Sequence, residues 1–256
     1  VKPLAIDLFC GLGGWTDGLL VEGWDVVGFD IERHRYGEHA YPGKLVIQDV
    51  LTLHGSQFRN AALIVASPPC QAYSYRAMPW KRAKALPPPD NSLFEACFRI
   101  QREACAAAGH HIPLIVENVR GAQKWVGRAR WNFGSFYLWG DVPALMPQTI
   151  KGSKVLGFRF DGSGRSFQSE SVKVAGLNWS AYGDPSYKPK GFNVTAAQRY
   201  RAENQGIKQG GSWFHDNNSI SRRSSSKSDT RKAASAIIAK IPLPLSRHIA
   251  KVLKPC

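Results

Sequence analysis

Five short apolar runs, at residues 3–9, 25–30, 45–48, 62–66 and 113–118, alternate with helical or loop-like stretches over the first 120 residues. This rhythm constrains the fold more than any other feature of the chain. Strands alternating with helical stretches predict an α/β fold built on a mainly parallel sheet with crossover helices. Open sheets of that kind bind ligands outside the carboxyl ends of their strands. The residues that end each run are therefore the ones to read for chemistry.

The first run passes through Asp7-Leu8-Phe9-Cys10 into the glycine-rich turn Gly11-Leu12-Gly13-Gly14. Glycine there allows positive φ and close approach of a ligand. Residues 15–22 read as a helix whose amino end points at the same place. The second run ends in Asp30, a carboxylate placed as in sites that hold ribose hydroxyls. The fourth leads into Ala66-Ser67-Pro68-Pro69-Cys70-Gln71, where two prolines fix φ and stiffen the turn that carries the thiol. The fifth ends in Glu117-Asn118-Val119. Each signal has a plain alternative. A cysteine in a proline turn is more often a small hydrophobe, a lone glycine-rich turn is weak, and Glu117 also reads as a strand-end acid that caps a helix. Four such strand ends in this order form a strong signal.

Together these segments resemble the cytosine-C5 DNA methyltransferase family, in its compact, phage-like form. The resemblance rests on Asp-Leu-Phe-Cys-Gly-Leu-Gly-Gly at 7–14, Pro-Cys-Gln at 69–71, Glu-Asn-Val at 117–119 and Gln48-Asp49-Val50 after the third run. It covers about the first half of the chain. It implies a Rossmann-like S-adenosylmethionine-dependent methyltransferase sheet with a small, irregular second lobe. It also implies methyl transfer from S-adenosyl-L-methionine to carbon 5 of a flipped cytosine in duplex DNA, through a covalent Cys70 adduct. Glu117 would meet the base at N3 and its exocyclic amine. Asn118 would hold the strand-end loop, and Gln71 would face the DNA. The cofactor would be held by Asp7, Phe9, Cys10, Gly11, Leu12, Gly13, Gly14, Asp30, Ile31, Asp49, Val50 and Pro69. For Phe9 and Ile31, simple core packing competes with an adenine contact. No metal is implied.

Two family features are missing. The Gln-x-Arg-x-Arg segment has only Gly127-Arg128-Ala129-Arg130 as a counterpart, and it arrives early and without the glutamine. Arg128 or Arg130 would bind the base carbonyl or orient Glu117, and a plain phosphate contact competes equally. The closing Gly-Asn-(Ala/Ser)-Val-Pro motif is replaced by Ile238-Ala239-Lys240-Ile241-Pro242-Leu243-Pro244-Leu245, which keeps the prolines and lacks the Gly-Asn pair. Three other readings remain open: an RNA cytosine-5 methyltransferase, because a related branch of the family modifies transfer RNA; a catalytically inactive DNA-binding relative; and an amino-group methyltransferase, whose usual turn resembles Ser67-Pro68-Pro69 but has an aromatic residue where Cys70 stands.

Charge supports a polyanionic partner. The net charge is +15 at pH 7, and residues 150–232 hold 15 Lys plus Arg against 6 Asp plus Glu. Phosphate contacts supply most of the affinity of such surfaces. Double-stranded DNA is the expected partner of a monomer, and a cognate restriction endonuclease is a candidate partner. No apolar run reaches membrane-spanning length, and because the sequence begins directly in a strand, no signal peptide is expected. The five cysteines make no Cys-x-x-Cys pair, so a reducing cytoplasm, in a bacterium or a phage-infected host, is expected.

The expected organisation has three parts: residues 1–146 as the catalytic and cofactor-binding domain, 147–232 as a target-recognition lobe, and 233–256 as a C-terminal helix packing back on the first part. Residues 92–108 give the clearest helix, with Ser92 as N-cap, Cys97 in its buried face and Gly109 just past its end. Residues 133–138 read as one further strand. His110-His111 reads as a loop. The basic, proline-rich stretch 75–91 is expected to close over DNA.

Overall fold

The computed structural model describes residues 1–73, 87–147, 220, 225 and 228–255. Its elements are, in chain order, β1 (Leu4–Leu8), α1 (Gly14–Val21), β2 (Asp25–Asp30), β3 (Arg35–Tyr36), β4 (His39–Ala40), β5 (Lys44–Ile47), β6 (Leu63–Ala66), α2 (Ser92–Ala108), β7 (Leu114–Asn118), α3 (Gln123–Val126), β8 (Trp131–Phe133), β9 (Phe136–Gly140), α4 (Asp229–Ala239) and α5 (Leu243–Val252). The seven-stranded sheet runs β5-β2-β1-β6-β7-β9-β8, and β3 pairs with β4 in a separate hairpin. The first five strands are parallel, with Leu8 level with Phe29 and Ala66, and Ala66 level with Val116. β9 runs antiparallel to β7, and β8 antiparallel to β9. This is the expected Rossmann-like α/β sheet. Chain order reverses between β1 and β6, which makes their carboxyl ends the switch point where such sheets hold ligands.

The sheet is buried on both faces, as parallel strands require. On one face Ile6, Leu8, Ile64, Ala66, Leu114 and Val116 pack with Phe94, Cys97, Ile100 and Ala104 of α2. On the other, Ala5, Val26, Leu63, Val65 and Ile115 meet Trp15 and Leu19 of α1 and Leu245 and Ile249 of α5. The assignment of Cys97 to the core therefore holds. The return of the C-terminal segment to the first part of the chain has a direct cause. A Cβ at Gly14 would overlap Ile241, so the bare glycine lets the two backbones meet.

Four local expectations need correction. Asn91, not Ser92, is the N-cap of α2, and the amide of Ser92 donates instead to Asp90 at 2.8 Å. The run 133–138 is not one strand but a hairpin, broken at Gly134-Ser135, with Gly134 at φ 58°. Apolar continuity hid the turn, although a glycine in a two-residue loop is a hairpin signal. The C-terminal helix is two helices: the first ends in the C-cap Lys240, whose ψ of 130° is extended, and Pro242 caps the start of the second, where proline disfavours helical geometry in the residue before it. The first of the two starts at Asp229, inside the segment assigned to the second lobe, with Ser228 capping it through a bond from the Arg231 amide at 3.3 Å. The rest of that lobe, residues 148–219, 221–224 and 226–227, and most of the basic stretch, residues 74–86, lie outside the described residues.

Candidate active site

The glycine-rich turn is built by strand β1 and held by the acid that ends β2. The amide of Gly11 donates to Asp30 Oδ2 at 2.8 Å, and the amide of Cys10 donates to the Phe29 carbonyl at 3.1 Å. Phe9, just before them in the chain, is at φ 57°, the one non-glycine residue at positive φ among the described residues. A bulky side chain there stores strain of about 1–3 kcal/mol, a feature that clusters at ligand sites. Gly11, at φ 49°, would project a Cβ into open space.

That open space is a cleft of about 580 Å³. Asp7, Phe9, Cys10, Gly11, Leu12, Gly14, Asp30, Ile31, Asp49, Val50, Pro69 and Gln71 all line it. Gly13 is not in its wall. A Cβ there would run into Pro42, so this glycine serves the packing beneath the turn. Sequence reading missed much of the remaining wall: Trp15, His34, Tyr36, Ser67, Leu93, and Lys232, Ser235, Ala236, Ala239, Lys240 and Ile241 from the C-terminal segment. Residues 232, 235, 236 and 239 share one face of α4 at helical spacing. That signal exists in the sequence, but nothing local says which face meets a cleft more than 200 residues away.

The acids of the cleft differ in electrostatics. Burial would raise the Asp30 carboxyl, but hydrogen bonds from His34 and from the Gly11 amide outweigh it and hold the group below the usual range. His34 Nε2 lies 3.5 Å from Asp30 Oδ1. Asp7 is fully buried, and desolvation pushes its pKa up to about 7 despite a 2.7 Å bond from the Thr16 hydroxyl to Oδ2. Its Oδ1 has no partner among the described residues. Asp49 accepts the Leu51 amide at 2.9 Å and caps the turn after β5. Burial, followed by the nearby Asp7 and Asp30 charges, pushes the Cys10 thiol up, so it stays protonated. Cleft volume, a bare Gly11 and an orphaned buried oxygen fit a nucleoside-sized ligand with hydroxyl and amine donors.

Cys70 and Glu117 lie outside the cleft lining, at the ends of adjacent strands. Cys70 is half-buried and Glu117 is buried. Ala66 and Val116 are register partners, so the turn after β6 and the end of β7 are neighbours at one edge of the sheet. Asn118 fastens them together: its Nδ2 donates to the Pro68 carbonyl at 3.0 Å, and its Oδ1 accepts the Val119 amide at 2.8 Å. Trp15 Nε1 pins the same turn from the other side, donating to Ser67 Oγ at 3.0 Å. Arg128 and Arg130 are elsewhere, in the wall of a second hollow on the far side of β7.

Residues 4–126 match the family model for C-5 cytosine-specific DNA methylases. Among solved structures, a putative DNA modification methyltransferase encoded within a prophage (E. coli) is 27% identical over 49% of this chain, with a TM-score of 0.35. The Entamoeba histolytica methyltransferase EhMeth is 17% identical over 48% of this chain and 40% of its own, with a TM-score of 0.33. The S. pombe Dnmt2 methyltransferase is 18% identical over 48% of this chain and 36% of its own, with a TM-score of 0.33. The match spans only 34% of the prophage chain's length. No curated protein matches the sequence.

Proposed function

From the match of residues 4–126 to the C-5 cytosine-specific DNA methylase family model, we propose that the chain belongs to that family and methylates carbon 5 of a cytosine in double-stranded DNA through a covalent adduct with Cys70. The observation that carries this reading is the Asn118 side chain holding the Pro68 carbonyl, which joins the cysteine turn to the strand end bearing Glu117. A nucleophile and an acid are thereby fixed relative to each other by the fold.

Carbon 5 of cytosine is a weak nucleophile. The Cys70 thiolate adds to carbon 6, and the displaced electron pair makes carbon 5 reactive. Glu117, at N3 and the exocyclic amine, stabilises the charge that develops in the ring. When bound, S-adenosylmethionine supplies an electrophilic methyl group. Loss of the carbon-5 proton to a base and expulsion of the Cys70 thiolate then restore the ring. Asp30 is the acceptor for ribose hydroxyls, Asp49 for the adenine amine, and the unpartnered Asp7 oxygen for a further donor of the cofactor. The base must leave the stack, at about a few kcal/mol. The basic excess in residues 150–232 supports assigning duplex binding and target reading to that segment.

The test is a methyl-transfer assay with duplex DNA and RNA side by side. Duplex DNA carrying 5-fluorocytosine should trap a protein–DNA adduct, because no proton can leave carbon 5. Cys70→Ser should form no adduct and lose turnover by about a thousandfold or more, because a hydroxyl is hardly ionised near neutral pH. Cofactor binding should persist in that variant. Full turnover with serine would remove Cys70 from the chemistry, and methylation of RNA alone would move the substrate.

A further inference from the structure

Pro68 and Pro69 carry no amide hydrogen, so the turn leading to Cys70 has no backbone donor of its own between Ser67 and the thiol residue. Its position is set by ties to other segments. The Ser67 amide donates to the Leu8 carbonyl at 3.1 Å, which carries the pairing of β6 with β1 one residue further. Past the thiol, the Tyr73 amide donates to the Cys70 carbonyl at 3.0 Å. Between these ties two side chains reach in from distant elements: Asn118 to the Pro68 carbonyl, and Trp15 to the Ser67 hydroxyl.

The two side chains anchor the turn to different things. Asn118 belongs to the strand end that bears Glu117. Trp15 belongs to the first turn of α1, directly after the glycine-rich turn. Its indole is 2% exposed and packs in one cluster with Leu19, Leu63, Val65 and Ile241, so Nε1 is a fixed point rather than a mobile donor. A buried indole N–H needs a partner, and Ser67 Oγ accepts from it at 3.0 Å. Trp15 and Ser67 both line the 580 Å³ cleft, as do Asp7, Gly14 and Pro69. The bond therefore runs from the wall of the cleft into the residue that opens the cysteine turn.

Methyl transfer makes two demands on one base. The thiolate must reach carbon 6, and the methyl donor must reach carbon 5. In such a constellation a displacement of about 1 Å can cost about a hundredfold in rate. A turn whose prolines supply no donors depends on its ties for that precision. One of those ties starts on the helix that walls the cofactor cleft.

We propose that Trp15, through its hydrogen bond to Ser67, is a positioning residue that holds the Cys70 turn in register with the methyl donor. The proposal rests on the methyltransferase reading above. It gives neither residue a chemical step.

The experiment uses the full chain and three substitutions. Ser67→Ala removes the acceptor, Ser67→Thr keeps it, and Trp15→Phe removes the donor while leaving an aromatic ring in the core. Three quantities are read: kcat and KM for methyl transfer to the nucleic acid that the wild type modifies, the rate of adduct formation when that substrate carries 5-fluorocytosine, and the Kd for S-adenosylhomocysteine by calorimetry. Ser67→Ala should lower kcat and the adduct rate together by about ten- to a hundredfold, with KM and Kd nearly unchanged. Ser67→Thr should recover most of that loss. Adding Ser67→Ala to Trp15→Phe should cost nothing beyond Trp15→Phe alone, because both cut one bond. Ser67 is only half-buried, so its alanine and threonine variants decide the matter even where Trp15→Phe fails to fold. Wild-type kcat in Ser67→Ala would overturn the proposal. So would a Kd that weakens in step with kcat, which would confine the pair to gripping the cofactor, or losses that add in the double variant. Wild-type protein that forms no adduct and methylates neither DNA nor RNA would overturn the methyltransferase reading and this proposal together, whereas an active wild type with unaffected variants overturns this proposal alone.

Discussion

Two hollows open beside the same sheet edge, and their charges are opposite in sign and in state. The cleft beneath the glycine-rich turn is lined by carboxylates that the chain already engages: Asp30 by the Gly11 amide and His34, and Asp49 by the Leu51 amide. The hollow beyond β7 is lined by guanidinium groups that the chain leaves alone. An acid held by two donors has its orientation set before any ligand arrives, which suits recognition of neutral hydroxyls and amines. Exposed, unpaired arginines keep their charge for an incoming anion. Asp7 breaks the pattern, since it is an acid in the first hollow with one oxygen left over.

The sharpest way to test that exception uses pH. Asp7 titrates at about 7 because burial penalises its charge. Between an ordinary aspartate value and about 7, the native state holds this proton and the unfolded chain does not. Native stability therefore falls as pH rises through that window and is level above it, by about 4 kcal/mol at most. Asp7→Asn keeps an acceptor for Thr16 and removes the titration. Urea unfolding at pH 5 and pH 8 should show the variant gaining on the wild type at the higher pH. If both lose or keep stability in parallel, Asp7 is ionised in the fold and belongs with Asp30.

Asp30 itself is expected to carry the next largest effect. Asp30→Ala removes the proposed acceptor for ribose hydroxyls and the partner of the Gly11 amide together. S-adenosylmethionine binding should weaken by roughly 1.5–3 kcal/mol, measured by calorimetry. Affinity equal to the wild type would show that an internally satisfied acid serves the turn alone.

How much of this was legible depends on where the information lay along the chain. The parallel strands, the glycine turn and the strand-end acids Asp30 and Glu117 follow from local pattern, because period, breakers and strand ends are written in consecutive residues. What was missed came from elsewhere in the fold. Lys232 and Ser235 line the cleft only because a bare Gly14 lets Ile241 dock on α1. The contrast between engaged acids and unengaged arginines was also hidden, since Arg128 and Arg130 look alike to Arg99 until the acids around each are known. Gly13 shows the opposite error: a motif glycine read as a ligand contact is needed for the fit beneath Pro42.

The smallest expected effect separates His34 from a bystander in the cleft wall. Its imidazole faces Asp30 at 3.5 Å, Glu32 at 3.6 Å and the Tyr36 hydroxyl at 3.3 Å. The hydrogen bond to Asp30 raises its pKa, burial opposes this, and the charges of Asp30 and Glu32 add to the rise. A histidine whose folded pKa exceeds its unfolded value stabilises the fold fully below the unfolded value of about 6.5, and that contribution is lost as pH rises through the folded one. The site is partly open to solvent, so the effect should stay below about 1 kcal/mol. His34→Gln should therefore be slightly less stable than the wild type at pH 5.5 and equal to it by pH 8.5. Proton NMR of the imidazole should show titration above the ordinary histidine range, moving down when Asp30 is replaced by alanine. A wild-type advantage that grows with pH would mean that His34 is held neutral. Asp30 would then be set by the Gly11 amide alone, and the engaged-acid side of the comparison would rest on backbone rather than on charge.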